Sequence, residues 1–487
     1  MSARTWRVAA IAAVVLASWL AFARLVAPGL IEAGMDGRGP AAFIRLVRAF
    51  GGGPPAGSVL ARWREFADAV ALATGCWLVV LQFVLRFRRP WGGDRPEVPG
   101  ERVPGWSRAA LAAVTAAFLG FTVQAGVVQD YYHYGTMWRE IWLGHDPWFL
   151  VRGVFGHYPL NAYGPLFNPL ALPAWVHPLF PKLIFASSFA IFASRLALLS
   201  GSDGGHPAAR LALIMVWLWN PFVWVEVAYY GHFDVLVGLL IVAALESLSR
   251  GRDRRSGTWL GLGVLLKYMP LVLLPFLSLD GRRVRWRFLI AALIVIGGGL
   301  GVSALYWGRS TFRPLEFAAT RDSHHLSIYR YLRGSKSPLV GSTWSGDIQA
   351  FAPVFLFLGL LRTWSWYREK GVTTEAASVL ALFVTVLLYR VGFAQYQMVP
   401  FMLVSWWLVR HGRDIDRRTP LLISLGAYFA WLSVFDLYES RFGVDAANMQ
   451  DWVGLPTFIL GWCVVACLVR SAPRRGFPPA DIATGGV

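Results

Sequence analysis

An acid stands where a long apolar run ends: "VVQDYYHYGTMWREIWLGHDPW" (127–148) places Asp130 there, followed at once by Tyr131, Tyr132, His133 and Tyr134. Two further acids have imidazole neighbours, His145 with Asp146 in "GHDPW" and His232 with Asp234 in "YYGHFD". Carboxylates and imidazoles gathered together suit proton transfer. Cations collect in a different stretch, 308–348. It carries Arg309, Arg313, Arg321, Arg330, Arg333 and Lys336, with His324 and His325 between them, against Glu316, Asp322 and Asp347. Guanidinium forks match phosphate oxygens, and Arg330, Arg333 and His325 are expected to contact such a group. Lys267 lies inside the apolar "GLGVLLKYMPLVLLP" (261–275). A buried ammonium there must pair with an acid, cap carbonyls or meet an anion. Gln395 and Tyr396, in "FAQYQMVPFMLV" (393–404), are polar groups suited to sugar hydroxyls. Cys76, Cys463 and Cys467 all lie in apolar runs, so neither a disulfide framework nor a metal site is expected, and no cofactor is implied.

These residues must be held by a chain that is 56% hydrophobic and 15% charged, whereas soluble domains carry roughly 25% charged residues. Apolar stretches recur along its length, at 6–26, 66–86, 107–128, 183–200, 209–229, 234–249, 288–307, 349–364, 373–390, 392–409, 420–437 and 454–470. The expected fold is an all-α polytopic membrane protein with about twelve spans, forming a single transmembrane domain over residues 1–487. Arg4 and Arg7 before the first run, with Ala21-Phe22-Ala23 near its end, are expected to make a retained signal-anchor.

The net charge of +18 would suit nucleic acid, but its placement does not. Arginines cluster in short stretches between apolar runs, as at Arg250/Arg252/Arg254/Arg255 and Arg282/Arg283/Arg285/Arg287, which marks the cytoplasmic side. No nucleic-acid partner is expected. Alternating the spans puts 27–65, 129–182, 230–233, 308–348, 391–397 and 438–453 on the opposite, outer side. One segment breaks the alternation. Residues 257–280 are flanked by basic clusters at both ends yet are long enough to cross only once, and Pro270 and Pro275 interrupt them. A helical hairpin entering and leaving on the cytoplasmic side resolves this. Broken backbone at such depth is tolerated only against protein or a cavity.

Within the outer loop 129–182, Tyr134, Trp138 and Trp142 recur every fourth residue, as one face of a short helix lying in the membrane interface. The proline-rich "HYPLNAYGPLFNPLALPAWVHPLFP" (157–181) is expected to be turns plus a second surface helix. The stretch 107–310 is expected to form a catalytic module, with 311–487 supplying the C-terminal spans.

The acid–aromatic start, then "LGHDPW" (143–148), then "YGPLFNPLALP" (163–173), resembles the first outer loop of the multi-span C-type (GT-C) glycosyltransferases. The likeness is strongest to bacterial polyprenyl-phosphate-mannose-dependent mannosyltransferases. "NPFVWVEVAYYGHFD" (220–234) and "GLGVLLKYMPLVLLP" are similar to that family's middle region. Trp148 and Tyr163-Gly164-Pro165 depart from its usual pattern. The resemblance implies inverting transfer of a sugar, mannose favoured, from a polyprenyl-phosphate carrier to a lipid-linked or glycan acceptor. The protein would be multi-pass in a bacterial-type plasma membrane, with its site on the outer face and membrane lipids around it. Asp130 would be the general base. Tyr131, His133, Asp146, Tyr163, His232, Asp234, Lys267, His325, Arg330, Arg333, Gln395 and Tyr396 would contact substrate. The competing expectation is a polytopic transporter or lipid or glycan flippase, which places ionisable groups near the bilayer midplane and often shows inverted repeats. Here most acids gather at one rim.

Overall fold

A backbone surrounded by hydrocarbon must satisfy its own amide groups, and in this computed structural model the described apolar runs fold as helices. The structure describes residues 14, 17–40, 44, 56–86, 105–153, 156–159, 161–200, 217–280, 283–332, 345–411, 418–442 and 447–472. The main helices are α1 (Ala56–Arg86), α2 (Gly105–Ala125), α3 (Gln129–Trp142), α4 (Ala171–Val176), α5 (Phe180–Ser200), α6 (Asp234–Ser249) and α7 (Asp253–Leu266). Then come α8 (Trp286–Trp307), α9 (Ala352–Lys370), α10 (Thr374–Leu388), α11 (Met398–His411), α12 (Arg418–Phe442) and α13 (Ala447–Ser471). The extended pairs among the described residues are small antiparallel ribbons: β1 (Leu150–Gly153) with β2 (Gly156–Pro159), and Leu279–Asp280 with Arg283–Val284.

The all-helical membrane architecture holds in a coarser form than twelve crossings. Among the described residues four helical stretches are long and apolar enough to cross: Phe180–Ala197, Trp286–Ala319, Thr419–Tyr438 and Val453–Ser471. Pro221–Tyr229 and Asp234–Ser249 make a fifth if they are taken together, and they are bent by 112°. The bend falls at the turn expected over 230–233, where Gly231 takes φ +72°. The apolar helical stretches Phe66–Val79, Ala109–Ala125 and Thr374–Leu388 are shorter. The expected runs 6–26 and 209–229 lie partly outside the described residues.

The segment after α6 decides where Lys267 goes. Gly251, at φ +68°, reverses the chain between α6 and α7, and the two helices pack together. Helices α7 and α8 run parallel. Gly257 abuts the Phe288 backbone, Gly261 abuts Ala292 and Val295, and Leu265 abuts Gly299, so the contacts advance together along both helices. The glycines at 257 and 261 allow this approach, because a Cβ at Gly261 would stand 2.8 Å from Val295 Cβ. A parallel neighbour requires the intervening chain to come back. It does so through a tight turn at Met269–Leu273, a short helix at Leu274–Leu277 and the small ribbon before α8. Pro270 and Pro275 stand in the first turns of those two pieces, where a missing N–H leaves no bond unmade. Residues 257–280 therefore form a hairpin. Its feet share the end marked by the arginines, and Lys267 is at its apex, about 21 Å along α7.

Helix α3 forms where the four-residue aromatic repeat places it, but of that repeat Tyr134 and Trp138 face inward and only Trp142, 42% exposed, stays at the surface. Tyr131, Tyr134 and Trp138 are 0–3% exposed. Tyr134 and Trp138 pack on Phe167 with ring centroids 5.3 and 5.4 Å apart, and Phe167 packs on Phe233 at 4.5 Å. A stripe of aromatics every four residues buries itself wherever a partner surface exists, and the 163–167 loop and the bend before α6 provide one. Helix α4 is the surface helix of this loop, presenting Leu172, Trp175 and Val176 outward.

Candidate functional site

At the hairpin apex α7 ends with Lys267 in extended backbone (φ −152°, ψ 131°), and its side chain is delivered to the start of α6. Lys267 Nζ donates to Asp234 Oδ1 at 2.5 Å, with the carboxylate side chain fully buried and the lysine side chain 10% exposed. The ammonium also lies 3.9 Å from the Tyr396 ring centroid and 5.4 Å from that of Phe233, where ring faces favour a cation. Asp234 thus joins two attractions, the N-terminal end of α6 and the lysine.

The apex opens on a cavity of about 240 Å³ lined by Lys267, Tyr268, Tyr163, Tyr389, Tyr396 and Arg321, with apolar walls that include Phe317 and Val386. Tyr163 arrives because Gly164 permits it. Gly164 N–H donates to Leu266 O at 3.2 Å, and a Cβ on Gly164 would run into the Leu265 carbonyl. The Tyr163 ring is held edge-on to Phe233, centroids 4.6 Å apart. Arg321 lies with its guanidinium 5.0 Å from the Phe317 ring and 4.5 Å from the Phe393 ring. Among the described residues Arg321 has no carboxylate within ion-pairing distance. Rings on either side orient the plane of a guanidinium while leaving its N–H edge available. The turn carrying Phe393 and Tyr396 is docked on the 324–328 segment, where Leu326 N–H donates to Gly392 O at 3.1 Å.

A second buried pair, this one an acid with an imidazole, lies on the bend that leads into α6. His232 Nδ1 is 2.6 Å from Glu226 Oε2, the side chains being 6% and 1% exposed. On the same bend Lys182 is fully buried and donates to the carbonyls of Gly126 (2.7 Å) and Tyr229 (2.6 Å). Its backbone N–H donates to Tyr131 Oη at 3.1 Å, and that hydroxyl donates to Pro178 O. Burial pushes the Tyr131 phenol far up, so it serves as a donor rather than an acid. Gly231 closes this knot, because a Cβ there would stand 2.8 Å from the Lys182 side chain and 2.9 Å from the Tyr131 ring.

Asp130 occupies the first turn of α3, one residue before the anchored Tyr131; its side chain, like all of Arg333, lies outside the described residues. The other expected residues divide. Tyr163, Asp234, Lys267 and Tyr396 meet at or beside the cavity, with Gln395 buried next to Tyr396 and His232 on the bend that leads into α6. His133 is exposed on α3. Asp146 ties loop to loop: its Oδ1 accepts from Trp148 N–H at 2.9 Å, its Oδ2 is 3.4 Å from Arg313, and Arg313 also donates to Trp148 O. His325 is buried against Phe435. Arg330 lies within the short helix Ile328–Leu332 and does not line the cavity, so of the basic stretch it is Arg321 that reaches the site. Among the described residues no group of three His, Cys, Asp or Glu side chains is placed to hold a metal.

Sequence reasoning passed over Glu226, Lys182, Tyr268 and Gly164. Glu226 is the single acid in "NPFVWVEVAYYGHF" and Lys182 the cation at the start of an apolar helix whose other charge is Arg195, so the signal was an isolated charge in apolar surroundings.

Residues 157–389 of this chain match glycosyltransferase family 87. Every cavity residue named above except Tyr396 falls inside that match; Asp130 precedes it. The chain is also similar to GPI mannosyltransferase 1 of Debaryomyces hansenii, 29% identical over 235 residues, which are 43% of this chain and 55% of that protein. It thus spans about half the length of that curated relative.

Proposed function

We propose, from the premise of a multi-span, mannosyltransferase-like protein of the C type, that this chain is an inverting glycosyltransferase. It would move one hexose, mannose favoured, from a polyprenyl-phosphate carrier to a lipid-linked or glycan acceptor. The observation that carries this is the cavity at the hairpin apex, which joins Lys267, paired with Asp234, and Arg321, which has no carboxylate partner among the described residues, with tyrosines and apolar walls. A lipid phosphate needs cations beside a greasy surface, and the cavity offers both. The end opposite Arg250–Arg255 would be the outer face of a bacterial-type plasma membrane.

In the reaction the acceptor hydroxyl attacks the anomeric carbon from the face opposite the phosphate. The bond from that carbon to the phosphate oxygen breaks, and the phosphate keeps the electron pair. Charge grows on the leaving oxygen, where Arg321 and Lys267 donate most strongly in the transition state. The acceptor proton passes to Asp130 as the new bond forms. Lys182 and Tyr131 hold the start of α3, so the acid that precedes Tyr131 is carried on a fixed backbone. The test is labelled polyprenyl-phosphate mannose incubated with membranes containing the wild type or Asp130→Asn. Transfer by the wild type and a loss of about 10²–10⁴ in rate with donor binding kept is the expected result. Wild-type turnover by Asp130→Asn removes the base assignment.

A further inference from the structure

Three buried polar atoms without a hydrogen-bond partner among the described residues sit on residues that line the cavity or adjoin its lining: the Tyr268 hydroxyl in the wall, Asp234 Oδ2 on the partner of Lys267, and Gln395 Oε1 on the residue before Tyr396. Asp234 is fully buried and Gln395 is 5% exposed, so solvent does not satisfy them. Their neighbours are all anchored. Asp234 Oδ1 is taken by Lys267, Gln395 precedes the Tyr396 ring that lies under the same ammonium, and Tyr268 follows Lys267 in the chain and lines the cavity. Folded chains pair nearly all their buried polar groups, so an unmatched hydroxyl in the cavity wall and two unmatched acceptors on residues adjoining that wall point to a place completed by something else.

The chemistry of the orphans narrows what that is. A carboxylate oxygen and an amide oxygen only accept hydrogen bonds, so the ligand must donate to them. Phosphate oxygens at neutral pH do not; they belong against Arg321 and the spare protons of Lys267. Hydroxyl groups donate and accept, which suits all three atoms. Tyrosine rings beside them, Tyr163 and Tyr396, suit the apolar faces of a pyranose. We infer that Asp234, Gln395 and Tyr268 form the sugar-recognition end of this cavity, with the phosphate end at Arg321, and that Tyr268 is a specificity-determining residue for the hexose. This deepens the proposed lipid-phosphate-sugar donor and rests on it for the identity of the reaction.

Tyr268→Phe tests the inference without disturbing the fold, because the hydroxyl it removes has no hydrogen-bond partner among the described residues. Membranes are given polyprenyl-phosphate mannose, its monodeoxy analogues, and sugar-free polyprenyl phosphate as inhibitor. The expected result is a fall of about 10–100-fold in kcat/KM for the full sugar. One deoxy donor, poor with the wild type, should be no worse than the parent with Tyr268→Phe, and inhibition by the sugar-free lipid should be unchanged. Equal weakening of the inhibitor, or deoxy preferences identical to the wild type, overturns the assignment. A second measurement needs no lipid donor: binding of methyl α-mannoside to the purified protein, wild type against Tyr268→Phe. Loss in the variant supports the sugar end even if no polyprenyl-phosphate donor is used, in which case only the donor reading falls. Equal binding by both proteins overturns the sugar end itself.

Discussion

Replacing Lys267 with methionine leaves the Asp234 carboxylate buried, with its only close cation gone. The structure sets the size of the effect. The ion pair is 2.5 Å long, its carboxylate is fully buried, and the second oxygen already lacks a partner. Removing one member of such a pair costs about 3–5 kcal/mol, because the remaining charge stays out of water, whereas replacing both members is close to neutral. The expected order of stability is therefore wild type, then Lys267→Met/Asp234→Asn slightly below it, then Lys267→Met well below both. A shift of 3–5 kcal/mol is a change of more than a hundredfold in the folding equilibrium. Unfolding of the detergent-purified protein in denaturant, followed by tryptophan fluorescence, reads it. The double variant should recover stability yet transfer no sugar, which separates the structural role of the pair from its role toward the ligand. A double variant no more stable than the single one would refute the account of Lys267 and Asp234 as mutual counter-charges. So would a single variant as stable as the wild type.

Gly164→Ala drives a methyl group into the Leu265 carbonyl, so the loop carrying Tyr163 must move; about 1–3 kcal/mol of stability should be lost and transfer should fall, and a variant with wild-type melting and turnover would show that the approach is not required. Arg321→Met should raise the KM for a lipid-phosphate donor and lower turnover by an amount equivalent to about 2–4 kcal/mol, while Arg330→Met, away from the cavity, changes neither; reversal of that order in donor kinetics would move the phosphate to the Arg330 turn. Cysteines replacing the exposed Arg254 and Arg283, at the two feet of the hairpin, should react alike with an impermeant thiol reagent from either side of sealed vesicles. Labelling of the two from opposite sides would break the hairpin.

The helical architecture with its apolar, membrane-length stretches follows from the chain alone, since apolar run length obeys the bilayer rather than any tertiary partner. The hairpin was legible for the same reason: two basic flanks and a single apolar length admit few solutions, and the parallel packing of α7 and α8 agrees. Lys267 and Asp234 stood out as ionisable groups among apolar ones. Their pairing did not, because they are 33 residues apart and meet only once α7 folds back on α6. Nor does a linear chain distinguish an aromatic stripe on a membrane surface from one in a core; the burial of Tyr134 and Trp138 depends on Phe167 and Phe233, which arrive from two other segments. The same holds for the cations of 308–348. Composition made them equivalent, and the tertiary structure separated them: Arg313 is consumed by Asp146 and a carbonyl, Arg330 lies elsewhere, and Arg321 alone of the three is set between two rings at the cavity wall. Residue type and hydropathy are local quantities, whereas which charge finds a partner is decided by the packing of segments distant in sequence, and at this site that decision leaves one guanidinium and three buried polar atoms for a ligand to complete.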